Sequence, residues 1–126
     1  MYKEICQTNS SLETCQRYIQ FEIREKNYAV AKELYDTMLI MYSSDFETLA
    51  YVLIEYSHFV VKYYKDYEYP KQLIKNYFDY LPYNSYLLIE YLQFMQYFQN
   101  NEGYYDELMQ ILCEAIKKAK KTLRDQ

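Results

Sequence analysis

The chain has 126 residues, 51% of them hydrophobic and 25% charged, so it is long enough for one domain or a short run of repeats with a real core. Its net charge of −4 argues against a protein whose main task is to coat nucleic acid, because phosphate contacts need a basic surface. One Gly and two Pro are too few for the turns of a β-rich domain, and 19 Tyr with 6 Phe and no Trp supply an aromatic core instead.

The chain in order reads as helices. Residues 2–8 are a short helical piece. Ser10 and Glu13 have capping-box spacing, which starts a first helix at Ser11. Its apolar face is Leu12, Cys15, Tyr18, Ile19 and Glu22/Ile23, a 3.6-residue period. It ends near Lys26-Asn27, where Asn suits the left-handed closing position. A second helix over about 28–42 turns Ala31, Leu34, Tyr35, Met38 and Tyr42 inward. The short break between the two makes an antiparallel hairpin.

Asp45 caps a third helix, about 46–64, with Phe46, Leu49, Leu53, Tyr56, Phe59/Val60 and Tyr63 inward. Lys65 to Glu68 break it. Pro70 fits the first turn of a fourth helix, about 69–81, which carries Leu73, Ile74, Tyr77 and Phe78, and Pro82 stops it. Asn84 caps a fifth helix, about 85–99, with Leu88, Tyr91, Phe94/Met95 and Phe98 inward. The turn Asn100 to Gly103 leads to a sixth, about 104–124, carrying Leu108, Ile111, Leu112, Ala115, Ala119 and Leu123.

Three hairpins emerge, over about 11–42, 45–81 and 84–124. Each first helix holds Tyr-x-x-Phe: Tyr18/Phe21, Tyr56/Phe59 and Tyr91/Phe94. The Phe residues lie 38 and 35 apart, the period of a stacked helical repeat. The second helices align as well, at Leu34, Leu73 and Leu108. One hairpin cannot bury its face alone, so the three are expected to stack as an all-α, α-α superhelix.

This pattern resembles the HAT (half-a-TPR) repeat, whose first helix reads Trp-x-x-Tyr-x-x-Phe-Glu and whose second carries Ala-Arg and then an apolar-Tyr pair. Cys15, Tyr18, Phe21 and Glu22, followed by Ala31-Lys32 and Leu34-Tyr35, carry the likeness in the first repeat. Leu53, Tyr56, Phe59 and Leu88, Tyr91, Phe94 carry it in the others. The Trp position holds Cys15, Leu53 or Leu88, and the Glu is kept only at Glu22. The resemblance implies a non-catalytic, nuclear protein scaffold of an RNA-processing particle, pre-mRNA splicing beside the U1 small nuclear ribonucleoprotein first among these. Cleavage at mRNA 3′ ends, ribosomal-RNA processing, or a cytoplasmic peptide-binding adaptor of the TPR kind are the alternatives. It also implies a piece of a longer repeat protein and pairing into a homo- or heterodimer through the repeats.

No residues assemble into a catalytic, cofactor or metal site. There is no P-loop, Rossmann glycine pattern or HExxH, and His58 has no second ligand nearby in sequence. Cys6, Cys15 and Cys113 lack metal spacing and read as reduced thiols. No apolar run spans a membrane. The signature aromatics read as core; partner-facing aromatics are sought at Tyr2, Tyr28, Tyr83, Tyr86 and Tyr97. Lys117, Lys118, Lys120, Lys121 and Arg124 could meet RNA phosphate or an acidic partner, although lysines at a helix C-terminus also complement its dipole.

Overall fold

A computed structural model describes residues 12–124 and is all-helical over them. The helices are α1 (Leu12–Arg24), α2 (Tyr28–Met41), α3 (Phe46–Tyr64), α4 (Glu68–Tyr80), α5 (Ser85–Met95) and α6 (Tyr104–Arg124), with a 3-10 turn at Gln96–Phe98. Consecutive helices pack on one another, α1 with α2, α4 with α5, and α5 with α6. The chain divides into two compact units, the boundary falling between Tyr56 and Ser57 within α3. The expected helical piece at 2–8 and the Ser10 cap lie outside the described residues.

In the first unit, α1 closes by backbone geometry and not by Asn27. Lys26 takes the left-handed conformation with φ of 62°, while Asn27 stays at φ of −91°. The Lys26 amide donates to the Ile23 carbonyl at 3.0 Å and the Asn27 amide to the Glu22 carbonyl at 2.8 Å. These two bonds are the Schellman closure, which satisfies the last carbonyls of the helix. Asn27 contributes its side chain instead: its Nδ2 donates to the Glu22 carboxylate at 2.9 Å. Glu22 is buried, so this bond gives its carboxylate a partner and ties the turn to the helix it ends.

The core of this unit is Cys15, Ile19, Ala31, Tyr35, Met38, Leu49, Val52, Leu53 and Tyr56, each almost fully enclosed. Ala31, the small residue on the inward face of α2, is fully buried. The rings of Tyr35 and Tyr56 stack with centroids 5.0 Å apart and 6° between planes. Their hydroxyls reach polar partners at the rim, Tyr35 to Glu55 at 3.3 Å and Tyr56 to Asp36 at 2.7 Å, and Gln16 donates to the other Glu55 oxygen at 3.1 Å. Tyr suits this place because its body packs while its tip stays paired. Asp45 caps α3 as expected, accepting from the Thr48 amide at 3.3 Å and the Thr48 hydroxyl at 2.7 Å. Phe46, expected inward, is 45% exposed. As the first residue of α3 it precedes the first full turn, where Leu49 and Ala50 begin the buried face.

In the second unit, Lys65 closes α3 with φ of 56°, its amide donating to the Val61 carbonyl at 3.1 Å. Asp66 then caps α4 from one residue further out, accepting from the amides of Glu68 and Tyr69 at 3.0 and 3.2 Å. Asn84 caps α5 through the amides of Tyr86 and Leu87 at 2.9 and 3.1 Å. The fifth helix loses α geometry after Met95 and finishes as the 3-10 turn, short of the expected residue 99. Gly103, at φ of 84°, makes the reversal into α6, a conformation that side chains bearing a Cβ resist.

The core here is Phe59, Val60, Ile74, Phe78, Leu81, Leu87, Tyr91, Phe94, Met95, Ile111 and Ala115. Leu87 is the fully enclosed leucine of α5; Leu88, expected to fill that role, is half-buried. On α6, Leu112 and Leu123 were also expected inward and are exposed, because the buried face is narrower and centred on Ile111 and Ala115.

Candidate functional site

The six signature aromatics sit where the repeat pattern places them, mostly in the core. Tyr18, Tyr56, Tyr91, Phe59 and Phe94 are buried, and Phe21 is half-buried. Five of them serve packing alone here, and Phe94, though buried, also lines the cleft described below.

Cys15 departs from the expectation of a reduced thiol, and Cys113 keeps to it. Cys15 is fully enclosed and disulfide-bonded, not a reduced thiol, while Cys113 is free and exposed. The signal missing from the sequence was spatial: nothing in the spacing of three cysteines distinguishes a bridged pair from free thiols.

The proposed basic cluster splits into two roles. Lys118 turns inward, donating to the carbonyls of Asp79 and Leu81 at 2.9 and 2.7 Å, with its ammonium 5.6 Å above the Phe78 ring. It satisfies the orphan carbonyls at the end of α4, where Pro82 prevents another turn, and is unavailable to a partner. Lys117, Lys120, Lys121 and Arg124 are exposed. Among the aromatics sought as partner-facing, Tyr86 and Tyr97 are exposed, Tyr28 and Tyr83 are half-buried, and Tyr2 lies outside the described residues. Tyr83 packs edge-on against Phe78 at 6.5 Å, and Tyr97 lies 4.1 Å from the Tyr67 ring.

A polar network missed by sequence reasoning joins α4, α5 and α6. Tyr91 donates its hydroxyl to Glu107. Lys71, buried despite its charge, reaches the same carboxylate at 3.1 Å and lies 4.5 Å above the Phe98 ring. Lys75 bridges Asp79 at 2.8 Å and Glu114 at 3.4 Å. Burial pushes the Tyr91 phenol upward, and the hydrogen bond and charge of Glu107 push it further, so Tyr91 stays protonated across the ordinary pH range. Burial alone would raise Glu107; the bonds from Tyr91 and Lys71, with the charges of Lys71 and Lys75, outweigh it and hold this carboxyl below its usual value. Desolvation lowers Lys75, yet its two carboxylate partners leave it above the usual value. Every member is paired, as a rigid structural network requires.

A cleft lies in the same unit, with a volume of about 700 Å³. His58, Val61 and Lys62 of α3 form one wall, and Glu90, Gln93 and Phe94 of α5 form the other. Gln96, Tyr97 and Gln99 close one end. His58 meets Glu90 across it at 3.0 Å, 32 residues apart in sequence. Three glutamine side chains offer both donors and acceptors, the chemistry that pairs with an extended peptide backbone. Phe94 and Tyr97 add apolar surface. The arrangement has no nucleophile held by a base, and among the described residues no His, Cys, Asp and Glu group could hold a metal ion. Among the same residues, no helix is long and apolar enough to cross a membrane.

No family model matches this chain, and no curated protein or solved structure matches it either.

Proposed function

We propose that this protein is a non-catalytic scaffold of a nuclear RNA-processing complex, acting in pre-mRNA splicing beside the U1 small nuclear ribonucleoprotein. Its hairpins continue as a HAT-like superhelix. The observation that carries the reading is the threefold Tyr-x-x-Phe, with the tyrosine buried in every copy and the phenylalanine buried in two. Stacked hairpins that spend their signature residues on packing leave the remaining faces for partners. The net charge of −4 favours protein contacts over direct RNA contact within such a particle.

A second reading is favoured by the cleft itself. Gln93, Gln96, Gln99 and Lys62 suit an adaptor that holds an extended peptide, outside RNA biology. Affinity purification from native cells separates the two, comparing the unaltered chain with a Gln93→Arg, Glu90→Arg cleft variant. The scaffold reading expects splicing components with the unaltered chain. Recovery without any RNA-processing component rejects it, and a cleft-dependent set of other proteins supports the adaptor.

A further inference from the structure

The cleft between the end of α3 and α5 carries two opposite charges at a fixed separation. Glu90 keeps only 15% of its side-chain surface in contact with solvent, and its one partner among the described residues is His58, 62% exposed on the facing wall. That pairing is ionic only when the imidazole is protonated, so a largely enclosed carboxylate is held by a single hydrogen bond from the rim. A carboxylate withdrawn from water gains more from a permanent cation than an exposed one does.

Lys62 stands one turn beyond His58 on the same wall, about 6 Å further along. Its ammonium lies 5.3 Å from the centre of the Tyr63 ring and has no carboxylate partner among the described residues. In an extended chain, alternate side chains project to the same face, about 6.6–6.8 Å apart, and neighbouring ones point to opposite faces. The negative and positive ends of the cleft therefore match residues i and i+2 of an extended strand, one basic and one acidic. An arginine meets Glu90 through two parallel N–H bonds, with its apolar stem along Phe94, four residues on from Glu90. A segment that is basic or acidic throughout suits one end and is repelled at the other. Gln93, Gln96 and Gln99 are left for the backbone of the same segment.

We propose that this cleft selects an extended segment of a partner protein in which a basic and an acidic residue are separated by one other residue, the base on Glu90 and the acid on Lys62. His58 holds the Glu90 carboxylate until the basic residue replaces it. The proposal rests on the reading of the cleft as a peptide groove and adds which peptides that groove takes.

A display library of random heptapeptides, selected on the full chain, is expected to yield peptides that share this pair. Followed by fluorescence anisotropy, they are expected to lose about tenfold in affinity with Glu90→Gln and about threefold with Lys62→Gln, since Lys62 is the more exposed. The losses are expected to be matched: exchanging the peptide's basic residue for Gln makes Glu90→Gln silent, and exchanging its acidic residue makes Lys62→Gln silent. Raising the salt concentration reads the same charges without altering the protein, and is expected to weaken the charged peptides and spare their neutral counterparts. Selected peptides that lack the pair, or whose affinity ignores both substitutions and salt, overturn the proposal while leaving the groove reading intact. A library that yields no binder overturns both.

Discussion

The signature phenylalanines offer a graded test of what the repeat motif does. Phe59 is 4% exposed, its ring 5.3 Å from Tyr63 and 5.9 Å from Tyr64. Phe21 holds the same motif position but is only half-buried. Phe59→Ala forfeits most of the transfer free energy of a buried aromatic, about 2–3 kcal/mol, and leaves a cavity that rigid helices fill poorly. The expected total is about 3–4 kcal/mol. Phe21→Ala should lose about half as much, because part of the ring already meets water and less cavity forms. Urea denaturation followed by helical circular dichroism measures both, provided the m-values match the parent. A loss at Phe59 under about 1 kcal/mol would mean that it is not core. Equal losses at the two positions would refute the argument from burial, leaving the motif itself to explain them.

Lys118→Ala should cost about 1–2 kcal/mol by stripping partners from the Asp79 and Leu81 carbonyls, whereas Lys121→Ala should stay within about 0.5 kcal/mol in the same urea assay. Because Glu107 is held below the usual carboxylate value when folded, its contribution is complete above the unfolded pKa of about 4.3 and is lost as pH falls through the folded value. Glu107→Gln should therefore flatten the acid limb of a stability-against-pH curve; an unchanged limb would show that other carboxylates control it. Tyr91 is raised when folded, so its contribution is complete below about pH 10 and declines above it, a fall that Tyr91→Phe should reduce in alkaline unfolding titrations. Reducing compartments do not maintain disulfides, so alkylation and mass spectrometry of protein from cells bear on location. The nuclear reading expects Cys15 to be trapped as a thiol; recovery as the disulfide seen here would place the protein in an oxidising compartment.

The sequence by itself located the helices and several of their caps, because those depend on neighbours in the chain, but not the closure of α1 at Lys26 or the 3-10 end of α5 after Met95. Asp45 and Asn84 cap by reaching amides two or three residues ahead, and Gly103 is where a positive φ is needed. The 3.6-residue period located most of the core for the same reason. Only the tertiary structure decided which residues of a broad apolar face meet a neighbour. Leu87 displaced Leu88, Phe46 was left at a helix start, and Leu112 and Leu123 were left outside while Ile111 and Ala115 took the core. Nor does any local rule bring Tyr91 and Lys71 to Glu107, or His58 to Glu90, since the partners lie 16 to 36 residues apart. Periodicity reports that a helix has an apolar face. Packing determines how much of that face is used, and on α6 Ile111 and Ala115 are the part that is buried.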